Sequence, residues 1–366
     1  MQKETEKSMK RILSIVVAVW YSVILSAQER VTLLFVGDLM QHDEQIKAAR
    51  IAGGYDYSDC FKHVKNEIQK ADIAIGNLEV TMGGRPYKGY PSFSAPDEFL
   101  FAIQEAGFDV LLTANNHCLD RGKKGLQRTV HLLDSLQIPF AGTYLNDEER
   151  QRRYPLLVEK KGFRLVFLAY TYDTNGLRPV APNKVNYIDK EQIKQDILTA
   201  RQMQPDAIIA CMHWGVEYRS LPETAEKEMA DWLIKQGVDH VIGSHPHVLQ
   251  PMEVRRNEST PEKHLVVYSL GNFISNMSKR KTDGGAMVKL ELKKMWGITR
   301  LEHCAYSLVW TSRPILSQKK NFELYPSSFL MEPIQNEEYK RFSLFIQDTR
   351  DLYDKYNKGI KEYFFE

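Results

Sequence analysis

The stretch GSHPHVLQPMEV, residues Gly243–Val254, decides the fold because it joins an apolar run to two histidines placed two residues apart. The preceding residues, VDHVI at 238–242, predict a buried strand. A glycine before the histidines lets the backbone approach another group closely, and a proline separates them. A polar loop explains this pattern, and so does a metal site, because neutral imidazole is a common metal ligand.

The same arrangement recurs at the ends of other apolar runs. VTLLFV (31–36), DIAIGN (72–77), FDVLLTA (108–114) and DAIIACM (206–212) each predict a strand. Ligands of open α/β sheets bind at the carboxyl ends of the strands, so we expect the polar groups found there to meet in one crevice. Those groups are Asp38, Asn77, Glu79, Asn115, Asn116, His117, His213, His245 and His247.

Helical patterns alternate with these strands. DEFLFAIQEAG (97–107) has an acidic first turn and a terminal glycine, and KEQIKQDILTARQM (190–203) follows a hairpin centred on Lys161-Gly162. This alternation predicts a layered α/β fold. We predict one catalytic domain over residues 30–315, followed by a C-terminal helical extension over 316–366.

The composition excludes some classes of function. The chain has 366 residues, of which 43% are hydrophobic and 26% charged, and 49 basic residues against 47 acidic ones leave a formal charge of +2. This balance creates no strong field for nucleic acid, and we expect no nucleic-acid partner. The four cysteines match no zinc-ribbon spacing, and we interpret them as buried free thiols.

The amino terminus has the pattern of an export signal. Lys10 and Arg11 precede the apolar run ILSIVVAVWYSVILSA, which ends in small residues at Ala27. Residues 1–27 are therefore predicted to be a signal peptide, with an uncleaved N-terminal anchor as the alternative. We expect an exported bacterial protein that is periplasmic or associated with the cell envelope.

The donors at the strand ends indicate the type of metal. Carboxylate, amide oxygen and imidazole form a mixed oxygen and nitrogen set, which suits Mn, Fe or Zn better than an all-sulfur or all-oxygen site would. A carboxylate can also bridge two cations, and paired metals can stabilise both oxygens of an in-line displacement. Two divalent metal ions are the predicted cofactors.

Six motifs follow one another along the chain: FVGDLM, GNLEV, TANNHCLDRG, MHWGVEY, GSHPHVLQPMEV and YSLGNFI. Together they resemble the CapA family of poly-γ-glutamate capsule-synthesis proteins, within the calcineurin-like metallophosphoesterase superfamily. The resemblance covers roughly residues 31 to 290, and it implies a four-layer α/β/β/α sandwich that is metallophosphatase-like, with a two-metal site between the sheets.

The resemblance also implies a role for each residue. Asp38 and His247 would hold one metal, Glu79 would bridge to the second, and His117 would protonate a leaving oxygen or stabilise the transition state. Asn116, His213 and His245 would hold the second metal. The groups expected to orient these ligands or to contact substrate are Asp120, Glu217, Asn272 and Arg85.

The chain departs from the superfamily pattern at two positions. Superfamily enzymes open with Asp-x-His, whereas Leu39 and Met40 follow Asp38 here, and their bridging aspartate appears here as Glu79. His42 could supply the missing imidazole if MQHDEQIK begins a helix, and a solvated histidine at a helix start is the other interpretation.

The leading functional hypothesis is a metal-dependent hydrolase that acts on phosphoesters or on an anionic envelope polymer. A second enzymatic hypothesis is amide chemistry on poly-γ-glutamate or a related polymer in capsule or cell-envelope biosynthesis. The alternative is a non-catalytic accessory protein that binds a polymer or a membrane-associated biosynthetic partner.

Overall fold

The structure is a computed structural model that describes residues 28–256, 262–330 and 337–365. The predicted signal peptide or anchor, residues 1–27, lies outside the described residues. Within the described ranges, no helix is both long and apolar enough to cross a membrane.

The chain alternates strands and helices as predicted, with a run of strands towards its end. The described strands are β1 (Gln28–Leu39), β2 (Arg50–Ile51), β3 (Gly54–Tyr55), β4 (Ile73–Leu78), β5 (Val110–Leu112), β6 (Phe140–Ala141), β7 (Thr143–Tyr144), β8 (Leu156–Lys160), β9 (Phe163–Thr171), β10 (Lys184–Val185), β11 (Ala207–His213), β12 (His240–Ser244), β13 (Met252–Arg256), β14 (Lys263–Val267), β15 (Asn272–Ile274), β16 (Gly284–Met295), β17 (Ile298–Ser312), β18 (Glu323–Pro326) and β19 (Lys361–Glu362). The described helices are α1 (Asp43–Ala49), α2 (Ser58–Phe61), α3 (Lys65–Lys70), α4 (Asp97–Ala106), α5 (Gly122–Ser135), α6 (Asp147–Arg153), α7 (Lys190–Gln202), α8 (Thr224–Lys235), α9 (Pro314–Ser317) and α10 (Glu337–Tyr356).

Two large sheets organise the molecule. The first has the order β18-β17-β16-β1-β4-β5-β6, with β15 beside β1 and β19 beside β17. The second has the order β13-β14-β12-β11-β9-β8. The predicted hairpin is confirmed, since β8 and β9 pair antiparallel around Lys161-Gly162.

The sheets pack against each other and helices cover their outer faces. The rings of Phe35 on β1 and Phe167 on β9 lie with centroids 6.4 Å apart, which joins the two sheets in one core. Every residue of β4 and of β11 is buried, as expected for strands covered on both faces. The helices α4 and α7 bury one apolar face each. The predicted α/β/β/α sandwich is confirmed.

The segment after residue 315 is more than a helical extension. Strand β18 pairs with β17 as an edge strand of the first sheet, and β19 pairs with β17 as well. The long helix α10 packs on the same strand, where the rings of Phe342 and Trp310 meet edge to face with centroids 5.9 Å apart. The domain boundary at 315 stays a prediction, but these residues complete the first sheet.

Strand register brings the polar strand ends together. Asp38 on β1 is the register partner of Asn77 on β4 and of Asn272 on β15. In the second sheet His213 is the partner of Ser244. Gly37 is required here, because a Cβ at this position would lie 1.9 Å from the carbonyl oxygen of Gly271.

Candidate metal centre

Two buried carboxylates form the floor of the site, and both come from the first sheet. Asp38 lies near the end of β1 and Glu79 directly follows β4, and each side chain is 0% exposed. The Asn77 amide donates to Asp38 Oδ1 at 2.8 Å and to Glu79 Oε2 at 3.1 Å. One amide therefore sets the spacing between the two carboxylates.

The second sheet supplies three buried histidines. His213 ends β11, and His245 and His247 lie in the loop after β12. His245 has φ +102° and His247 has φ +57°, values that non-glycine residues rarely adopt and that cluster at functional sites. Gly243 permits the turn, since a Cβ there would lie 2.0 Å from the carbonyl oxygen of Tyr268.

Glu79 lies between the histidines of the opposite sheet. Its Oε1 atom is 3.9 Å from His213 Nε2 and 3.7 Å from His247 Nε2. Asn116 joins from the loop after β5, where its Oδ1 lies 3.0 Å from His213 Nε2. Asp38 Oδ2 lies 3.3 Å from His247 Nδ1. One oxygen of Glu79 therefore lies within 4 Å of two imidazoles of the opposite sheet.

Three of the site histidines have Nδ1 held by a separate partner. His213 Nδ1 lies 3.0 Å from Ser244 Oγ, His247 Nδ1 lies 3.0 Å from Asn272 Oδ1, and His117 Nδ1 lies 2.8 Å from Asp120 Oδ2. Such contacts fix the ring orientation and leave Nε2 to face the site. His245 differs, because its buried Nδ1 has no hydrogen-bond partner.

The electrostatics favour bound cations. Burial, together with the neighbouring charge of Asp38, raises the pKa of Glu79 well above its usual value. Burial lowers the pKa of His213 well below its usual value and lowers the pKa of His245 to about 3, so both rings are neutral as metal ligands must be. Burial alone lowers the pKa of His247, but the negative charge of Asp38, 3.3 Å from its Nδ1, raises it.

Unsatisfied buried atoms test whether these residues fit a metal. Asp38 Oδ2, Glu79 Oε1 and His245 Nδ1 are buried without a hydrogen-bond partner. Leaving such groups unpaired is costly, whereas a divalent cation would satisfy all of them. Among the described residues, two groups have ligand atoms within 4.8 Å of one another: Asp38, Glu79 and His213 form one, and Glu217, His245 and His247 form the other. The donors therefore fit divalent metal ions.

A family model described as "Bacterial capsule synthesis protein PGA_cap" matches residues 32–277, well over half of the chain. The chain belongs to this family. The predicted family assignment is thereby confirmed, and the match spans the strands that carry the site from β1 to β15.

Individual proteins agree with the family assignment. The chain is 27% identical over 320 residues to "Capsule biosynthesis protein CapA" of Bacillus anthracis, covering 80% of this chain and 75% of that one. It is 26% identical over 281 residues to "PGA biosynthesis protein CapA" of Bacillus subtilis, covering 71% and 67% respectively. Among solved structures, the calcineurin-like phosphoesterase YfkN from Bacillus subtilis matches at 14% identity with a TM-score of 0.45, covering 77% of this chain and 90% of that one.

The structure groups the predicted PGA_cap ligands differently from the expected division. All six residues, Asp38, Glu79, Asn116, His213, His245 and His247, lie in one buried cluster. However, Asp38 falls in a group with Glu79 and His213, and His247 falls in a group with His245 and Glu217. Which ligands share a metal therefore stays a prediction.

The residues expected to support the ligands or to contact substrate differ in whether they touch a site histidine. Asp120 and Asn272 contact site histidines, as described above. Arg85 is exposed on the loop after β4, with its guanidinium 5.1 Å from the Tyr87 ring centroid. His42 precedes α1, which confirms the helix start, and its Nδ1 accepts from the backbone N–H of Asn276 at 3.2 Å.

Sequence reasoning left some site residues without a role. Asn77 was visible at a strand end, but only the register with Asp38 shows that its amide holds both carboxylates. Ser244 precedes the first histidine of the GSHPH stretch and orients His213. Its position directly before another ligand gave no independent signal.

Proposed function

We propose that this protein is a metal-dependent hydrolase of capsule or cell-envelope biosynthesis that acts on an anionic polymer or on a phosphoester. The observation that supports this proposal most is the position of Glu79, whose buried and unpaired Oε1 lies between histidines of the opposite sheet. Two cations held by the six clustered ligands would supply Lewis-acid charge, which lowers the pKa of water and stabilises charge that develops in the transition state.

In this proposal His117 assists the leaving group. It is 3% exposed at the edge of the cluster, and its Nδ1 faces the carboxylate of Asp120 at 2.8 Å. Only Nε2 can then act on a substrate, and Asp120 stabilises the ring when it carries a proton. The Phe93 ring packs edge to face on His117 with centroids 4.6 Å apart, which restricts the imidazole further.

Exposed tyrosines surround the mouth of the site. Tyr90, Tyr172 and Tyr218 are 68%, 43% and 41% exposed, and each ring lies near a different site histidine. The exposed Lys279 places its Nζ 4.3 Å from the Tyr218 ring centroid. Aromatic faces next to an ammonium group suit a long, negatively charged chain that extends past the metals.

The two Bacillus relatives are named for capsule biosynthesis and for PGA biosynthesis, which supports the polymer as substrate. We propose export to the periplasm or cell envelope, with membrane-associated biosynthetic enzymes as partners, because a capsule polymer is assembled there. The identity of the metals, Mn, Fe or Zn, belongs to the same proposal.

The test uses purified protein reconstituted with Mn²⁺ and offered a phosphomonoester, a phosphodiester and γ-linked polyglutamate, with phosphate and polymer length followed separately. Glu79→Ala and His247→Ala should lose metal and turnover together. His131→Ala is the matched control, because His131 is exposed on α5 away from the cluster. Turnover that survives Glu79→Ala refutes the mechanism, and polymer binding without any product by metal-loaded protein would favour the accessory role.

A further inference from the structure

We infer that Glu217 is a metal ligand in this protein and completes the half of the centre that contains His245 and His247. The inference rests on the proposed two-metal function and deepens it, since Glu217 was expected only to support a ligand or contact substrate. Its carboxylate and one ring nitrogen of each histidine lie within 4.8 Å of one another.

The first observation is the unsatisfied nitrogen of His245. This histidine is 1% exposed, and its Nδ1 has no hydrogen-bond partner, unlike the Nδ1 atoms of His213 and His247. Its ring lies beside that of His213 with centroids 4.8 Å apart. A buried imidazole nitrogen that has no hydrogen-bond partner, in a ring that lies beside another imidazole, is available to a cation.

The second observation is that the loop carrying Glu217 is hydrogen-bonded to the loop that carries His245 and His247. The Tyr218 backbone N–H donates to the carbonyl of Pro246, which separates the two histidines, at 2.8 Å. On the other side the Trp214 N–H donates to the Ser244 carbonyl at 3.1 Å. The Gln250 side-chain amide donates to the Arg219 carbonyl at 2.8 Å. Glu217 is thus held beside the ligands although it is more accessible than they are.

The third observation concerns the residues that follow Asp38. Leu39 and Met40 are buried and apolar, so neither offers a nitrogen or oxygen from its side chain. His42 is absent from both groups of ligand atoms found in the described residues. Glu217 is the carboxylate that adds an anionic ligand beside His247, which a divalent cation needs for charge balance.

The experiment measures metal rather than turnover. Wild-type protein, Glu217→Gln and Glu228→Gln are stripped with a chelator and titrated with Mn²⁺ in equilibrium dialysis, with elemental analysis of the bound metal. Glu228 is the matched control because it is an exposed glutamate on the neighbouring helix α8. Circular dichroism of the stripped proteins checks that each variant is folded.

Wild type and Glu228→Gln should each bind two Mn²⁺ per chain. Glu217→Gln should bind one of the two at least about tenfold more weakly, because it loses an anionic ligand. Two Mn²⁺ bound to Glu217→Gln with wild-type affinity would overturn the inference. Absence of hydrolysis by fully loaded wild type would instead count against the proposed function, and the dialysis would still decide the role of Glu217.

Discussion

Replacing Glu79 with glutamine should stabilise the metal-free protein while it removes the response to metal. Glu79 is fully buried beside Asp38, and one of its oxygens has no partner. Without a cation the folded chain must hold this charge or take up a proton, and either choice costs free energy. Glutamine keeps the shape of the side chain, and its carbonyl oxygen can still accept from Asn77.

The expected change in the free energy of unfolding follows from the distance between the carboxylates of Asp38 and Glu79. Ligand oxygens of Asp38 and Glu79 lie within 4.8 Å of each other. At an effective dielectric constant of about 20, two like charges at that distance repel by about 3 kcal/mol. The charge of Asp38 raises the pKa of His247 against the effect of burial, so protonation of this ring would offset part of the repulsion. We therefore expect Glu79→Gln to raise the free energy of unfolding by about 1–3 kcal/mol without metal.

The dependence of the stability difference between Glu79→Gln and wild type on pH and on metal provides the check. The pKa of Glu79 is raised in the folded state. The free-energy cost of its buried charge is therefore absent below pH 4.5 and grows as the pH rises towards that raised pKa. The advantage of Glu79→Gln should grow over the same range. With metal at about 100 times its dissociation constant, wild type should gain about 2.7 kcal/mol per site, and the variant should gain much less.

The assay is urea unfolding of both proteins at several pH values, in chelator and in Mn²⁺. Glu149→Gln is the control, because Glu149 is a buried glutamate whose oxygens are satisfied: the Leu145 N–H donates to Oε2 at 2.6 Å, and Arg153 lies 3.2 Å from Oε1. That variant should be destabilised. If Glu79→Gln is also destabilised in chelator, the carboxylate is compensated by its surroundings and the electrostatic reasoning is wrong.

Three further perturbations probe other parts of the site. Asp120→Asn should lower kcat about 100-fold through His117 while bound metal is unchanged; lost metal would contradict a role confined to orientation. Tyr218→Ala should weaken binding of γ-linked polyglutamate about tenfold and spare turnover of a small phosphomonoester; equal losses on both substrates would exclude a polymer-specific contact. Burial lowers the pKa of His245 to about 3, so below about pH 6.5 only the unfolded chain gains a proton there. The metal-free wild type should therefore lose stability relative to His245→Asn between pH 6.5 and 4, and parallel urea curves would refute this.

The convergence of ligands could be predicted from sequence because it follows from a local rule. Each donor lies at or just beyond the carboxyl end of an apolar strand, and parallel strands bring those ends to one edge. The pairing of Asp38 with Asn77 is an instance, since β1 and β4 are neighbours in the first sheet. The approach of the two sheets depends on side-chain packing such as that of Phe35 on Phe167, which no local pattern encodes.

The features that escaped prediction depend on long-range contacts of loops. Glu217 follows His213 by only four residues, yet its place beside His245 depends on a backbone bond to Pro246. Sequence distance does not predict this place, because the turn at Gly215, with φ +90°, redirects the chain. Arg85 is exposed beside Tyr87, and its contact with substrate stays a prediction.

The division of the candidate ligands between two sheets would give bound metals a structural role as well as the proposed catalytic one. Asp38 and Glu79 belong to the first sheet, whereas His213 and His247 belong to the second or to its loops. Their mutual orientation is already set, because Asn77 spaces the carboxylates and Ser244 orients His213. A cation that enters such a prearranged site needs no rearrangement of the backbone. It would join the edges of both sheets, so metal removal should loosen the contact between sheets before it affects either sheet alone.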